Sequence, residues 1–454
     1  MSIKMLPCKF PLHYNKIVAV LVILAITAFF KANCSLIFQR ERNFDASFDS
    51  TQINLLELLN FKEKQATWNN NANSKRAVNP DALKNLTELI RGNNYPVEVY
   101  TVKTADGFLL DLHRIPHGRK HLNDIKNVHQ KPKNVVYLQH ALLSSACDWV
   151  MNYANDSLGF ILADQGYDVW MGNTRGNTYS RRHASLSPDD PKFWDWSFDE
   201  MAKYDMPAFI DFILTKTGQP SLSLIGHSQG TMMNFALFSE RPDMEKKVKI
   251  FIALAPVAFV ESITSPIKYL SLMSDDEIYS HFGKKIFLPN DNIVKFFVDL
   301  FCTEVATKWM CDDILFLFVG VDFKNLNQSR LDVYFHHSPS GVSVKDLVHF
   351  AQLYRQRNFV KYNYGSSESN MLHYNQTTPP EYNIDNITVP VVFFSGGDDW
   401  LSDPLDVRHL VHSLHSLQAW YMQPTWNHMD FVWGLTAAEG CYKKVLESLQ
   451  RYNH

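Results

Sequence analysis

The sequence lacks the motifs of several common protein classes. It contains no Cys-x-x-Cys pair, which argues against a zinc ribbon or a thioredoxin-like site. It has no glycine-rich phosphate-binding pattern, so we expect no nucleotide and no cofactor. No basic run stands out, and 44 Lys and Arg against 47 Asp and Glu give a net charge of −3, so a nucleic-acid partner is not indicated. With 46% hydrophobic residues in 454, the chain can instead build a large folded core.

The first residues have the pattern of a targeting segment. Three lysines precede an uncharged apolar run at 17–30. The run has the length of a signal-peptide core and is short for a membrane span of roughly 20 residues. We therefore predict a cleaved signal peptide at 1–35, with an uncleaved signal anchor as the alternative. The polar segment at 36–78 is predicted to be a linker or a pro-segment.

Cysteine and sequon positions agree with export. Two of the six cysteines lie in or beside the leader. Cys302 and Cys311 are close enough in sequence to close a small loop in an oxidising compartment, whereas Cys147 and Cys441 are free or paired. Five Asn-x-Ser/Thr triplets predict N-glycosylation, at Asn85, Asn155, Asn327, Asn375 and Asn386. Together with the leader, they predict entry into the secretory pathway.

The segment around Ser228 predicts a nucleophile. An apolar run of strand length at 222–225 precedes it, and helix-forming residues follow it. Gly226, Ser228 and Gly230 form Gly-x-Ser-x-Gly, in which a sharp strand-to-helix turn exposes the serine hydroxyl. We expect the two glycines because strand and helix pass too closely there for a Cβ. The start of the following helix favours negative charge beside the serine.

Strands alternate with helices along the rest of the chain. Apolar spacing predicts one helix at 198–215 and another at 403–417, followed by a last strand. Such alternation indicates an α/β fold with a mainly parallel sheet and helices on both faces. Residues 79–256 and 386–454 are predicted to form its two parts, and the mostly helical segment at 257–385 is predicted to form a cap between them.

A nucleophilic serine needs a base, and the base needs an orienting acid. In α/β-hydrolases both follow the nucleophile, the acid first. Asp399 lies in the exit loop of a late apolar strand and is the predicted acid, with Asp398 and Asp403 as alternatives. His428 lies in a loop after the last strand and is the predicted base, which accepts the Ser228 proton and returns it to the leaving alcohol.

Three further histidines share one predicted helix. His409, His412 and His415 are spaced by three residues, as metal ligands on a helix face would be. No carboxylate or cysteine completes a ligand set, so we predict no metal site.

Two backbone N–H groups are predicted to bind the oxyanion of the reaction. Gln229 directly follows the nucleophile, and Leu142 lies in the loop after an early strand. Each such donor contributes roughly 2.7–4 kcal/mol in acyl transfer. His140, at the end of that strand, is expected to shape the loop.

These motifs resemble the acid lipases, the gastric and lysosomal lipase group of α/β-hydrolases, from about residue 79 to the C-terminus. The segments that carry the resemblance are Asn94-Tyr95-Pro96, Thr104-Ala105-Asp106-Gly107, Leu138-Gln139-His140-Ala141-Leu142-Leu143, Gly172-Asn173-Thr174-Arg175-Gly176-Asn177, Phe193-Trp194-Asp195-Trp196-Ser197-Phe198-Asp199-Glu200, Gly226-His227-Ser228-Gln229-Gly230-Thr231, Gly396-Gly397-Asp398-Asp399 and Asn427-His428-Met429-Asp430. Many specific segments in one order make the resemblance strong.

The resemblance implies an α/β-hydrolase fold with the triad and the oxyanion donors given above, and a Cys302–Cys311 bridge in the cap. It implies hydrolysis of triacylglycerols or sterol esters at a droplet, micelle or membrane surface by a secreted or lysosomal protein. The oxyanion loop departs from the family pattern, because Ala141 occupies a position that is usually glycine. If the backbone needs a positive φ there, alanine would strain the oxyanion loop. Val319 likewise occupies the position of the family's third cap cysteine.

Two other functions are compatible with this fold. A binding protein without catalytic activity is one, and the presence of all three triad residues argues against it. An acyltransferase is the other, since an alcohol could replace water in accepting the acyl group. Product analysis with and without added alcohol separates hydrolysis from transfer.

Overall fold

The computed structural model describes residues 79–119, 133–287 and 324–452. The predicted signal peptide, the predicted linker and the Cys302–Cys311 pair lie outside these ranges, and they stay predictions. Within the described ranges, no helix combines the length and the hydropathy that crossing a membrane requires.

A mostly parallel sheet forms the centre of the described chain. The strands are β1 (Glu98–Lys103), β2 (Phe108–Ile115), β3 (Val135–Gln139), β4 (Asp168–Gly172), β5 (Arg182–His183), β6 (Leu222–His227), β7 (Val248–Leu254), β8 (Ile286–Phe287), β9 (Val342–Ser343), β10 (Val391–Gly396) and β11 (Leu417–Gln423). The main sheet has the order β1-β2-β4-β3-β6-β7-β10-β11, with β5 beside β2. Neighbours from β4 to β11 run parallel, whereas β1 and β2 form an antiparallel hairpin. The predicted mainly parallel α/β sheet is confirmed.

Helices connect most of the strands. The α-helices are α1 (Leu86–Gly92), α2 (Leu158–Asp164), α3 (Met206–Thr217), α4 (Gln229–Glu240), α5 (Pro242–Glu245), α6 (Asp275–Phe282), α7 (Leu331–His337), α8 (Val344–Gln356), α9 (Ser367–Tyr374), α10 (Pro404–Ser413), α11 (Asp430–Trp433) and α12 (Lys443–Tyr452). A short α-helical turn lies at Phe198–Glu200. The described residues also contain 3₁₀ segments at Pro80–Leu83, Ala146–Trp149, Pro191–Trp194, Pro266–Leu272, Gln328–Arg330 and Ile384–Asn386, and π segments at Met201–Asp205 and Ala438–Tyr442.

The strands that carry the site are buried along their whole length. Every residue of β3, β4, β6 and β10 is buried. Such continuous burial is typical of parallel strands that are covered on both faces, and it explains why their sequences are runs of apolar residues. The helix after β6, α4, is also buried except at its last residue. The turn between β6 and α4 is therefore fixed by packing on both sides.

Two helix predictions differ from the structure at their boundaries. The helix predicted at 198–215 consists of the Phe198–Glu200 turn, the Met201–Asp205 π segment and α3. The helix predicted at 403–417 ends at Ser413, because Leu414 is extended and Leu417 already pairs with Val391 of β10. The parallel pairing of β11 thus begins where helical spacing alone would have continued the helix.

The segment at 257–385, between β7 and β10, is called the insertion below. Its described part contains α6 to α9 and two short antiparallel strands, β8 and β9, which pair with each other and do not join the main sheet. The Ser343 hydroxyl caps α8 by accepting a hydrogen bond from the Asp346 N–H at 3.0 Å. The strand pair and the serine cap together fix the start of α8.

Arg175 holds the loop after β4 through two carboxylates. Its guanidinium lies 2.6 Å from Asp205 and 2.7 Å from Asp106, the latter in the β1–β2 turn. Asp205 also accepts the Arg175 backbone N–H at 3.0 Å. Both Arg175 and Asp205 are fully buried, so their charges are compensated mainly by each other.

Candidate active site

Ser228 stands at the turn between β6 and α4 in a strained backbone conformation. Its φ of 54° and ψ of −121° lie outside the regions that L-residues prefer, at a cost of roughly 1–3 kcal/mol. A Cβ on Gly226 would come within 2.8 Å of the Gly230 carbonyl oxygen, and a Cβ on Gly230 within 2.5 Å of the Gln139 carbonyl oxygen. The first contact is between strand and helix, as expected from the sequence. The second is with the neighbouring strand β3.

Ser228, His428 and Asp399 form one hydrogen-bonded chain. The Ser228 Oγ lies 2.7 Å from His428 Nε2, and His428 Nδ1 lies 3.0 Å from each carboxylate oxygen of Asp399. The three residues follow β6, β11 and β10. In the sheet β10 lies beside β11, and β7 separates β10 from β6. All three side chains are buried. The structure thus brings together the three residues that the sequence predicts as nucleophile, base and acid.

The loop after β10 distinguishes Asp399 from its two neighbours. Asp399 Oδ1 accepts the backbone N–H groups of Leu401 at 2.9 Å and Ser402 at 2.8 Å, which orient the carboxylate toward His428. Asp398 is exposed. Asp403 caps α10 by accepting the Leu405 N–H. The carboxylate that hydrogen-bonds to His428 is that of Asp399.

His227, inside the Gly-x-Ser-x-Gly motif, fixes the loop that carries His428. Its Nε2 lies 3.0 Å from the His428 carbonyl oxygen and donates to it, and the two rings lie 5.0 Å apart. Burial lowers the pKa of His227 to about 3, and the nearby His428 acts in the same direction. His227 therefore stays neutral and keeps its donor. Sequence reasoning assigned no role to this residue, although it lies within the motif itself.

The two predicted oxyanion donors have N–H groups without a hydrogen-bond acceptor among the described residues. Gln229 is the first residue of α4, where N–H groups have no partner within the helix. Leu142 lies in the turn that follows β3. Neither N–H group hydrogen-bonds to another part of the described chain. Both are available to an oxygen of a bound ligand.

His140 shapes the Leu142 loop, as expected from the sequence. Its Nε2 accepts the Thr174 N–H at 3.2 Å, so its Nδ1 carries the proton and donates to the Ala141 carbonyl at 2.8 Å. The Asn177 amide also lies 3.2 Å from His140 Nε2. Burial lowers the pKa of His140 to about 4, which keeps this arrangement neutral. The loop after β4 therefore supports the loop that contains Leu142.

Ala141 does not have a positive φ. In this loop the positive φ is at Leu143, with a value of 57°. The strain that alanine would cause in a left-handed backbone therefore does not arise at position 141.

An apolar cavity opens beside Ser228. Its volume is about 960 Å³ including its open mouth. Ser228, His428 and Leu142 line it from the α/β core, and Leu347 and Phe350 of α8 line it from the insertion. The other lining side chains are mostly aliphatic or aromatic, with Lys268 as a charged member. Such a lining suits an apolar ligand group whose reacting end reaches Ser228.

Asp346 of α8 contacts the active site and was not predicted from the sequence. Its Oδ2 accepts a hydrogen bond from the side-chain Nε2 of Gln229, and its Oδ1 accepts the Phe198 N–H at 2.7 Å. Asp346 is fully buried, and burial raises its pKa to about 7. Its sequence signal is only that of an acidic residue in the first turn of a helix.

The five predicted N-glycosylation sites differ in the exposure of their asparagines. Asn327 is buried, and its side-chain oxygen accepts hydrogen bonds from the N–H and hydroxyl of Ser329, so it is the least accessible sequon. The other four sequon asparagines are exposed, namely Asn85, Asn155, Asn375 and Asn386. Glycosylation of all five stays a prediction.

Cys147 and Cys441 are free and buried in the structure. Burial raises the pKa of Cys147 to about 12, which makes its thiol a poor nucleophile. Among the described residues, no cluster of three or more His, Cys, Asp or Glu side chains could hold a metal ion. The prediction that three histidines share one helix is wrong, because His409 and His412 lie in α10 and His415 follows its end. His409 stacks on Phe259 with ring centroids 3.9 Å apart.

Comparison with known proteins decides the family. The α/β hydrolase fold family model matches residues 134–435, and a model of a partial α/β-hydrolase lipase region matches residues 86–153. The chain belongs to the α/β-hydrolase lipases. It is an ester hydrolase by family, and its predicted resemblance to the acid lipases is confirmed.

Two lipases illustrate the similarity of this α/β-hydrolase lipase to its relatives. The human lysosomal acid lipase/cholesteryl ester hydrolase is 46% identical over 376 residues, which cover 83% of this chain and 93% of that protein. The rat gastric triacylglycerol lipase is 47% identical over 371 residues, which cover 82% of this chain and 93% of that protein. A solved structure of a putative lipase from Sulfolobus solfataricus shares the fold at a TM-score of 0.50 and 14% identity, covering 78% of this chain and 94% of that one.

Proposed function

We propose that this protein hydrolyses the carboxylic ester bonds of neutral lipids, with Ser228 as nucleophile, His428 as general base and Asp399 as the acid that orients it. The observation that carries the proposal is the hydrogen-bonded chain from Ser228 through His428 to Asp399 beside an apolar cavity. The nucleophile elbow supports the same role for Ser228, because its strained turn is the geometry that presents a serine hydroxyl to substrate.

The proposed reaction proceeds through an acyl-enzyme. His428 Nε2 takes the hydroxyl proton as Ser228 Oγ attacks the ester carbonyl carbon, and the N–H groups of Leu142 and Gln229 stabilise the oxyanion. The bond to the alcohol then breaks, and the alcohol leaves with the proton from His428. Water, deprotonated by His428, attacks the acyl carbon, and the bond to Ser228 Oγ breaks. The fatty acid leaves, and His428 returns the proton to Ser228 Oγ. Asp399 accepts the hydrogen bond from His428 Nδ1–H and stabilises the imidazolium.

The cavity and the relatives support triacylglycerols or sterol esters as the substrate class. The cavity lining is predominantly aliphatic and aromatic, which suits an acyl chain. The rat relative is named a triacylglycerol lipase and the human relative a cholesteryl ester hydrolase. The protein would meet such substrates at the surface of a droplet, micelle or membrane.

The insertion would act as a cap over this site. Leu347, Phe350 and Tyr354 of α8 line the same cavity as Ser228, which supports an insertion that forms one wall of the acyl-chain pocket. The cap would thereby exclude water from the acyl chain during the reaction.

Export through the secretory pathway is part of the proposal. The predicted leader and the four exposed sequons support it, and the relatives named above are a lysosomal and a gastric enzyme. We therefore propose a secreted or lysosomal location.

Replacing the nucleophile tests the proposal. Emulsified triolein and cholesteryl oleate are offered to the glycosylated wild type, to Ser228→Ala and to Ser239→Ala across acidic to neutral pH, and released fatty acid is measured. Ser239 is the matched control, since it is a buried serine of α4 whose hydroxyl donates to the Ala236 carbonyl at 2.9 Å. We expect Ser228→Ala to lose activity by about 10³-fold or more and Ser239→Ala to retain it.

Two results would contradict the proposal. A folded wild type without activity on either ester would refute the lipid-ester function. Equal loss in both serine variants would show that Ser228 has no special role. Adding a long-chain alcohol tests the acyltransferase alternative. Formation of the ester of that alcohol in place of free fatty acid would show that the alcohol, and not water, accepts the acyl group.

A further inference from the structure

The side chain of Gln229 is held by the insertion and not by the α/β core that contains its backbone. Gln229 Nε2 donates to Asp346 Oδ2, and the two residues are 117 positions apart in the chain. Both side chains are buried. Gln229 is also the residue whose backbone N–H follows the nucleophile. One residue thus carries a proposed oxyanion donor on its backbone and a contact with the insertion on its side chain.

Hydrogen bonds to both carboxylate oxygens and from the backbone N–H hold Asp346 in place. Its Oδ1 accepts the Phe198 N–H at 2.7 Å, and its own N–H donates to the Ser343 hydroxyl at 3.0 Å. The Ser343 hydroxyl in turn donates to the Trp196 carbonyl. The carboxylate therefore joins the start of α4, the segment before α3 and the first turn of α8. Such a fully bonded buried carboxylate has little freedom to move.

The neighbour of Asp346 in sequence faces the acyl-chain cavity. Leu347 lines the cavity together with Ser228, while Asp346 binds Gln229. The first turn of α8 therefore contacts both the cavity and the residue next to the nucleophile. A displacement of that turn would change both contacts together.

We propose that Asp346 is a positioning residue for the ester hydrolase reaction: by holding the Gln229 side chain, it sets the direction of the Gln229 backbone N–H toward the oxyanion and makes that donor depend on the docked insertion. The inference rests on the proposed function, since it assigns a role to a residue in the same reaction. The effect belongs to the transition state, because the oxyanion exists only there. It should therefore appear in kcat and leave KM for a small ester nearly unchanged.

The test compares variants on a water-soluble ester, p-nitrophenyl butyrate, so that adsorption to a lipid surface does not enter the rates. Asp346→Ala removes both acceptors, and Gln229→Ala removes the donor but keeps the backbone N–H. Asp346→Asn is the conservative variant: its amide oxygen can accept from Phe198, and its NH₂ group can donate to a Gln229 amide that has turned over. Active sites are counted with a serine-directed phosphonate, and kcat is expressed per active site.

Tyr382→Phe is the matched control. Tyr382 is buried, and its hydroxyl donates to the Asp199 carboxylate at 2.6 Å. The control thus removes one buried hydrogen bond to a carboxylate in the same region. A general loss of rigidity would affect this variant and Asp346→Ala alike.

We expect Asp346→Ala and Gln229→Ala each to lower kcat by about 10-fold, below the 10²–10³-fold that follows complete loss of an oxyanion donor. The double variant should lose no more than either single variant, because both remove the same contact. Asp346→Asn should retain kcat within about 3-fold of wild type, and Tyr382→Phe should retain it fully.

Distinct outcomes overturn the inference and the proposed function. An active wild type whose Asp346→Ala kcat equals that of Tyr382→Phe would overturn the inference alone, as would additive losses in the double variant. If Asp346→Ala does not fold, Gln229→Ala with unchanged kcat would overturn it instead. A folded wild type without Ser228-dependent esterase activity would overturn the proposed function, and the inference with it.

Discussion

At the scale of single residues, the loop that carries Leu142 contains a departure from the acid-lipase pattern. Alanine at position 141 replaces the usual glycine, yet the positive φ of this loop belongs to Leu143. The Leu143 carbonyl accepts the Ser340 N–H of the insertion at 2.7 Å, which helps to hold this conformation. The alanine methyl group lines the cavity and is buried. Position 141 therefore tolerates a Cβ, and the positive φ of the Leu142 loop lies two residues later, at Leu143.

Restoring glycine should consequently bring no gain in activity. In Ala141→Gly we expect kcat on p-nitrophenyl butyrate to stay within about 3-fold of wild type. The free energy of unfolding should fall by roughly 0.4–1 kcal/mol, because glycine is freer than alanine in the unfolded chain. Steady-state kinetics and urea unfolding of both proteins check the two parts. A tenfold rise in kcat would mean that alanine does strain the oxyanion loop.

At the scale of elements, the loop after β4 depends on a buried ion pair. Arg175 contacts the buried Asp205 and the partly exposed Asp106, and its guanidinium also lies 4.1 Å from the centre of the Phe108 ring. The same loop contains Thr174, which holds His140 and through it the Leu142 loop. Loss of the ion pair should therefore weaken the fold and disturb the oxyanion loop as well.

Asp205→Ala should be far more harmful than a comparable change at the surface. It leaves the buried Arg175 charge without its main partner, which costs roughly 3–5 kcal/mol. Asp243→Ala is the control, because it removes an exposed partner of Arg241 and should cost at most about 1 kcal/mol. Urea midpoints at one pH compare the three proteins. Similar urea midpoints for Asp205→Ala and Asp243→Ala would show that the fold does not need Asp205 to compensate the buried charge of Arg175.

The elements also show which parts of the site can be predicted from sequence. Ser228, Asp399 and His428 each follow a strand, and a strand followed by a loop is a local pattern that needs no knowledge of distant contacts. The end of α10 was predicted four residues late because the pairing of β11 with β10 is a tertiary contact. Asp346 could not be predicted for the same reason. Its partner lies 117 residues away, and an acidic residue after an N-cap serine is ordinary at a helix start.

At the scale of the whole molecule, buried carboxyl groups and buried histidines have opposite effects on the stability of the fold as pH changes. Burial raises the pKa of Asp148 and of Asp346 to about 7. Burial lowers the pKa of His113 and of His140 to about 4. The carboxyl groups favour the folded state more as pH falls from 7 to 4, because the folded state then binds the additional protons. The histidines oppose this trend, since the unfolded state binds their protons between pH 6.5 and 4.

Asp148→Asn removes one of the buried carboxyl groups and leaves the buried histidines in place. The folded-state pKa of Asp148 lies above its unfolded value of 3.8, so its stabilising contribution is complete below pH 3.8 and is lost as pH rises through 7. Asparagine does not titrate, and it can still accept the hydrogen bond that the Ser144 hydroxyl donates to Asp148. Relative to wild type, the variant should therefore gain stability between pH 4 and pH 8, by up to about 4 kcal/mol at 1.36 kcal/mol per pKa unit.

Urea unfolding of both proteins at pH 4, 5.5, 7 and 8 measures that difference directly. The value at pH 4 serves as the internal reference, because the Asp148 carboxyl is protonated there in the folded state and the two side chains are both neutral. Any effect of the amide on packing is the same at every pH. The change of the stability difference with pH therefore measures the titration of the Asp148 carboxyl group. A difference that stays constant from pH 4 to pH 8 would mean that Asp148 titrates alike in the folded and unfolded chains, and that its burial does not favour folding in acid.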